Sequence, residues 1–279
     1  MKRPLEILAA ISVAIALGWL GYRWFVEKVP VFAPPPATGV PAPAADVPPP
    51  PPVQAMPPVP SPSQPPEVPS IVHPPADEIA PVPLPPLAES DADMRAALVE
   101  LVPAEALAQF VQPEALARRF VATIDNLTAG RVSPQQRSVL PLGGRFLVYE
   151  ADDGSLRRDP ANHARYDTVV ALVTGVDPAR VVALYHRFHP LLQQAYEELG
   201  YPGRAFDDRL LAVIDHLLTA VPPPEPLRLV QPKVYYRYAD PALEAASAGH
   251  KILFRLGPAH METVQAWLRR VRTALTGAG

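Results

Sequence analysis

"DPARVVALYHRFHPLLQQAYEELG", residues 177–200, carries the clearest structural signal in the chain. Asp177 followed by Pro178 combines a favoured N-cap residue with proline at the first helical position. Apolar residues then recur every three or four positions until Gly200 closes the pattern. We therefore predict a long amphipathic helix, which Pro190 should kink or split.

The same periodicity predicts further helices on both sides of this one. Ser90 with Asp93 resembles a capping box at a helix start. Another helix should begin with Pro113 at its first position and end at Gly130 as a C-cap glycine. Three more are expected over residues 206–217, 248–256 and from Pro258 to residue 275.

Two stretches have the pattern of β-strands. Residues 145–158, "RFLVYEADDGSLRR", place Asp153-Gly154 between two short extended runs, which indicates a hairpin. Residues 227–239, "LRLVQPKVYYRYA", also favour a strand, and Pro232 should confine it to a sheet edge. We predict a compact, mainly α domain over residues 87–279, with one or two small β-hairpins.

The first 29 residues are typical of a cytoplasmic tail followed by a membrane anchor. From Leu5 to Phe25 the segment is apolar apart from Glu6 and Arg23, and about twenty apolar residues suffice to span a bilayer as a helix. Aromatic residues suited to the membrane interface lie near its far end: Trp19, Tyr22 and Trp24. We predict that residues 5–26 contact inner-membrane lipid in a single pass, with the N-terminus in the cytoplasm.

A cleaved signal peptide is the alternative interpretation of this segment. It would need small residues at a cleavage site after the apolar core, but the core here runs into bulky aromatic residues. The sequence therefore favours an uncleaved signal anchor.

Residues 30–86 form a proline-rich tract. Proline occupies 24 of these 57 positions, so both helix and sheet hydrogen bonding are blocked. We expect a disordered, extended linker that would reach about 175 Å if fully stretched. It would hold the distal domain away from the membrane. Tolerated low-complexity sequence, or a proline-rich ligand for a partner's groove, remain alternatives.

The composition excludes several classes of function. The chain has no cysteine, so disulfides, thiolate metal sites and cysteine nucleophiles are ruled out. Its formal net charge of −3 argues against nucleic-acid binding. We expect no cofactor.

Two groups of polar residues resemble sites of chemistry. His186 and His189 share one face of the long helix, but the nearest acids along it, Glu197 and Glu198, are two turns away, so we predict no metal site and partly exposed histidines. The acids at 150, 152 and 153 lack the spacing of a calcium loop and are interpreted as a solvated hairpin tip. No nucleophile motif is present, and we predict no catalytic residues.

Long blocks of the distal domain resemble a known family. They are "ARYDTVVALVTGVD" (164–177), "YHRFHPLLQQAYEELGYP" (185–202), "FDDRLLAVIDHLLTA" (206–220) and "YYRYADPALEAASAGHKILFRLGP" (235–258). They are similar to the proteobacterial family called domain of unknown function 3014, over roughly residues 87–275. The resemblance implies an anchor, a proline-rich tract and this domain, but no activity.

The matching blocks also supply the candidate residues for a shared surface or a buried polar network. These are Arg165, Tyr166, Asp167, Tyr196, Tyr201, Tyr238, Asp240, Glu244, Lys251 and Arg255.

Three functions fit this architecture. We expect a non-enzymatic binding or scaffold domain that meets a periplasmic protein or the cell wall, since tethering raises effective concentration. A membrane-tethered hydrolase acting through paired carboxylates is the alternative. A structural role within a larger complex is the third.

Overall fold

A computed structural model of the chain describes residues 69–74, 83–140, 142 and 145–277. Within these residues the fold is mainly helical. The α-helices are α1 Asp91–Val99, α2 Ala104–Phe110, α3 Leu116–Asn126, α4 Asp167–Thr174, α5 Pro178–Glu198, α6 Phe206–Leu218, α7 Pro241–Ala245, α8 Ala248–Leu256 and α9 Pro258–Thr276. Short 3-10 helices span Leu87–Glu89, Pro134–Gln136 and Pro160–Tyr166. The helices predicted at 178, 206, 248 and 258 are thereby confirmed.

Helix α5 lies at the centre of the helical packing. The Asp177 carboxylate accepts a hydrogen bond from Ala179 N at 2.9 Å, as an N-cap should. The helix packs against α3 and α9. The predicted split at Pro190 does not occur, since α5 runs through it without a break. Pro190 is exposed, while Phe188 and Leu191 on either side are buried in one core, which holds both halves of the helix together.

The start of α1 differs from the prediction. Ser90 has helical backbone angles (φ −75°, ψ −12°), and its hydroxyl donates to Leu87 O at 2.9 Å. A capping box needs an extended N-cap residue, so the predicted pairing of Ser90 with Asp93 is wrong. The preceding 3-10 helix explains the difference, because Ser90 continues that turn.

Both predicted ends of α3 are also wrong. The helix begins after Ala115, which has a left-handed φ of 52°, and not at Pro113. Asp91 holds this start, since its two carboxylate oxygens accept from Ala115 N at 2.7 Å and Leu116 N at 2.8 Å. The helix ends at Asn126, so Gly130 is not its C-cap glycine.

The strands form one antiparallel sheet in the order β1-β2-β3-β4. They span β1 Val148–Glu150, β2 Leu156–Arg158, β3 Arg228–Val230 and β4 Arg237–Tyr238. The hairpin predicted at Asp153-Gly154 is confirmed, and Gly154 takes the positive φ of 73° that its turn requires. Pro232 lies in the connection between β3 and β4. The prediction of a single edge strand is therefore wrong, because the proline is in a turn and β3 is paired on both sides.

Helix α9 closes the core against α4, α5, α6 and α8. Trp267 is fully buried, and its indole N–H donates to Val176 O at 2.9 Å. Gly257 joins α8 to α9 with a φ of 85° and a ψ of 164°, and an added Cβ would lie 2.6 Å from the His163 ring. This junction therefore accepts glycine and little else.

Residues 70–74 contact the helical domain, although they fall in the range assigned to the linker. Ile71 is buried in the core, and Val72 N donates to Leu275 O in α9 at 2.9 Å. His73 reaches residues of α5 and α6.

Among the described residues, no single helix has the length and apolar character needed to cross a membrane. Pro160–Thr174 and Pro178–Glu198 meet that test only as a pair, with a bend of 72° between them. The anchor predicted over residues 5–26 lies outside the described residues, and so do residues 30–68 and 75–82 of the predicted linker.

Candidate functional site

Six of the ten residues selected from the sequence lie close together. With Arg158 they form what we call the Arg–Tyr cluster: Arg158, Arg165, Tyr166, Tyr238, Glu244, Lys251 and Arg255. Tyr166 ends a 3-10 helix, Tyr238 lies on β4, and Lys251 and Arg255 are one turn apart on α8. The cluster thus joins the sheet to the helices.

The two tyrosines supply neutral hydroxyls to this cluster. Burial raises the pKa of Tyr166, and the nearby charges of Arg255, Arg165 and Arg158 only partly offset that effect. Burial likewise raises the pKa of Tyr238, against the opposing charge of Arg255. Both side chains therefore stay protonated at neutral pH and can donate hydrogen bonds.

Arg158 is the member that sequence reasoning missed. Its side chain is only 2% exposed, its Nη1 donates to Phe254 O at 2.6 Å, and its Nη2 pairs with the Glu225 carboxylate. The sequence analysis included it in the hairpin of residues 145–158 without selecting it as a site residue. Strand alternation was the available signal, because Leu156 and Arg158 share a face of β2.

Lys251 and Glu244 are half-buried members of the cluster that contact each other. Lys251 Nζ donates to Glu244 O at 3.0 Å, and a Glu244 carboxylate oxygen accepts from Tyr238 N at 3.2 Å. Burial lowers the pKa of Lys251; Glu244 opposes this effect, while Arg255 and Arg131 add to it. Cations outnumber carboxylates here, so an acidic group bound at this position would be stabilised.

The other four selected residues make different contacts. Tyr196 stacks on Tyr201 with ring centroids 4.6 Å apart, and the Tyr201 hydroxyl donates to Asp125 at 3.2 Å. Asp167 lies 3.1 Å from His260 Nε2. Asp240 caps α7 by accepting from Ala242 N at 2.8 Å.

A second polar group, the histidine cluster, comprises His73, Tyr185, His186, His189 and Asp207. His73 Nε2 lies 2.6 Å from Asp207 Oδ2, and His189 Nε2 lies 3.1 Å from Oδ1. The Tyr185 hydroxyl also donates to Oδ1. The prediction that the two α5 histidines share a partly exposed face is confirmed, but the acid beside them is Asp207 of α6, not Glu197 or Glu198.

The carboxylate of Asp207 is the electrostatic centre of this cluster. Burial alone would raise its pKa, but the contacts with His189, Tyr185 and His73 outweigh burial and lower it. Burial and the neighbouring His73 lower the pKa of His186. In the part of the chain that the structure describes, His73, His189 and Asp207 form a group able to hold a metal ion, with donor atoms within 4.8 Å of one another.

An apolar groove of about 330 Å³ lies between α1 and α2. Its walls include Val99, Leu107 and Leu140, and its polar lining comes from Arg95 and Gln112. No carboxylate lines it. The groove therefore suits the burial of apolar groups and lacks the acid pair that a hydrolase of the predicted type would need there.

The model of a family described as "Protein of unknown function (DUF3014)" matches residues 116–272. This range contains the whole Arg–Tyr cluster as well as His189 and Asp207, whereas His73 and most of the apolar groove fall outside it. No curated protein and no solved structure matches the chain.

Proposed function

Since the chain belongs to the DUF3014 family of proteins of unknown function, we propose its function from its site and its sequence architecture. The chain is a membrane-anchored envelope protein of the bacterial inner membrane. Its folded domain, residues 87–279, is a binding domain for an acidic partner in the periplasm. That partner is an envelope protein or the cell-wall polymer.

The Arg–Tyr cluster is the observation that carries this proposal. Lys251 and Arg255 are half-buried, so they are partly desolvated before any ligand arrives. A carboxylate or phosphate oxygen placed beside them would form charge-assisted hydrogen bonds, which are about twice as strong as neutral ones. Tyr166 and Tyr238 are neutral donors beside the same cations.

The sequence architecture supports the proposed membrane anchor and the periplasmic position of the domain. An apolar segment over residues 5–26 and a proline-rich tract over residues 30–86 would fix one end of the chain and carry the domain outward. A tethered domain needs only modest affinity, because the tether raises the effective concentration of its partner.

Photo-crosslinking in cells tests the proposal. A photoreactive amino acid replaces the exposed Ala239, which adjoins Tyr238, in the full-length chain. We expect a defined crosslinked product that is lost when Lys251→Glu, combined with Arg131→Glu beside the cluster, replaces two positive charges by negative ones. The matched control, Arg269→Glu with Arg270→Glu on the exposed face of α9, should keep the product.

Thermal unfolding of each variant shows whether the domain is still folded. If the variant with Lys251→Glu and Arg131→Glu is folded and still gives the crosslinked product, the proposal is contradicted. Hydrolysis of purified wall polymer by the full-length chain would instead favour the tethered hydrolase.

A further inference from the structure

The histidine cluster brings together donors that lie far apart in the sequence. His73 precedes the domain, His189 lies on α5 and Asp207 lies in the first turn of α6. Two imidazole nitrogens and one carboxylate oxygen are the donor set that three-ligand zinc sites use, with a fourth position open to water. Imidazole also suits copper and nickel, so the chemistry selects divalent transition metals over Mg²⁺ or Ca²⁺.

The three donor atoms lie within 4.8 Å of one another, and one pair of them already has the spacing of tetrahedral ligands. At zinc–ligand distances of 2.0–2.1 Å, tetrahedral donors lie about 3.3 Å apart. His189 Nε2 and Asp207 Oδ1 are 3.1 Å apart, already close to that value. His73 Nε2 is 2.6 Å from the other oxygen, Oδ2, so its ring would need to move to share an ion with Oδ1 and His189. Its side chain is 34% exposed, so a small rotation can supply this movement.

The surrounding groups hold two of the ligands in position. Tyr185 is buried and donates its hydroxyl to Asp207, which fixes that carboxylate. His186 Nδ1 lies 3.1 Å from His73 Nδ1, so a hydrogen bond between them would leave His73 Nε2 facing Asp207. Such outer partners orient the ligands in known metal sites.

His189 Nε2 is the third donor, and it is free to coordinate. The atom is buried and has no hydrogen-bond partner, although Asp207 Oδ1 is only 3.1 Å away. A buried polar atom without a partner is costly, and coordination to an ion between these two atoms would satisfy both.

We propose that His73, His189 and Asp207 bind one divalent transition-metal ion, with Zn²⁺ as the best match. The bound ion fastens residues 70–74 to helices α5 and α6. It therefore sets the point at which the proline-rich tract meets the folded domain.

Calorimetry on the untagged full-length chain in detergent tests the site, after chelator removes bound metal and ZnCl₂ is added. We expect one Zn²⁺ per chain, with affinity reduced about tenfold or more by His73→Ala or His189→Ala. The matched control His260→Ala removes a histidine that lies beside the carboxylate of Asp167, and it should bind as the unmodified chain does.

Two results would overturn the site: no Zn²⁺ binding by the unmodified chain, or full affinity in His73→Ala. His73 is the least buried ligand, so its replacement by alanine tests the site even if a change at His189 disturbs folding. Circular dichroism identifies such a disturbance.

Amide hydrogen exchange tests the fastening of the segment. Zn²⁺ should slow exchange at Val72 and His73 in the unmodified chain but not in His189→Ala. If Zn²⁺ binds and exchange at these two amides is unchanged, the ion does not hold the segment.

Discussion

At the scale of single residues, Arg158 shows how much one buried charge depends on its partners. The guanidinium is 2% exposed and meets Phe254 O and the Glu225 carboxylate. In water each of these groups would be solvated; in the fold Nη1 and Nη2 exchange that water for these two partners, while Nε is buried without a partner among the described residues. The salt bridge between Arg118 and Glu198 differs in burial, because both of its side chains are 43% exposed.

We expect Arg158→Met to lower the free energy of unfolding by about 3 kcal/mol, because it leaves Glu225 and a buried carbonyl without their partner. Arg118→Met should cost less than about 1 kcal/mol, since solvent screens exposed pairs. Urea unfolding of the full-length chain, followed by circular dichroism, measures both. Equal losses would show that burial of Arg158 adds nothing.

At the scale of helices, the ends are fixed by contacts as much as by local sequence. Asp91 in α1 caps the distant α3, whereas Asp93, two residues on, is exposed. We expect Asp91→Ala to cost about 2 kcal/mol in the free energy of unfolding and Asp93→Ala about 0.5 kcal/mol. Urea unfolding of the two variants provides the measurement. A larger loss for Asp93 would restore the capping-box interpretation.

The junction of α8 and α9 gives a second prediction at this scale. Gly257→Ala should cost about 3 kcal/mol or more in the free energy of unfolding, because alanine is strained at this φ and its Cβ would strike His163. Gly130→Ala is the control. A Cβ at Gly130 meets nothing within 4 Å, so stability should be unchanged or rise by about 0.4–1 kcal/mol. A thermal shift comparison of the two variants is sufficient.

Local signals predicted several helices well, and their limits have a physical cause. Periodicity and capping rules predicted three helix starts because these depend on residues adjacent in the sequence. They are the starts at Asp177-Pro178, at Ala248 and at Pro258. The true start of α3 depends on Asp91, and the inner position of β3 depends on pairing with β2. Such contacts between distant residues leave no local pattern.

The candidate sites show the same division. The histidines of α5, His186 and His189, are three residues apart in "HRFH", and this spacing predicts that they share one helix face. Their companions His73 and Asp207 come from other segments, and nothing in the sequence pairs them with α5. Family resemblance selected six of the seven members of the Arg–Tyr cluster, all except Arg158, without indicating that they lie close together.

At the scale of the whole molecule, we expect the length of the proline-rich tract to set how far the folded domain can extend from the membrane. It should not affect the free energy of unfolding of that domain. Deleting residues 31–58 removes about half of it and spares the contacts of residues 70–74. Urea unfolding should be unchanged, while the yield of the Ala239 crosslink in cells should fall severalfold. An undiminished yield would contradict a spacer role.

Replacing residues 31–58 by a glycine-serine chain of the same number of residues tests whether the stiffness of the tract matters in addition to its length. A glycine-serine chain of 28 residues spans about 30 Å on average, against about 85 Å for extended polyproline of the same number. The replacement should therefore lower the crosslink yield nearly as much as the deletion does. If it restores the full yield, contour length and not stiffness is what matters.

The hydrogen bond from Val72 to Leu275 has a mechanical consequence. If residues 5–26 anchor the chain as proposed, tension along the proline-rich tract would enter the domain beside the last turn of α9, which packs against α4, α5, α6 and α8. Such a pull would act on the helical core through α9. We expect an optical-tweezers experiment that pulls residue 69 against residue 277 to detach residues 70–74 first, at low force. The helical core should unfold only afterwards.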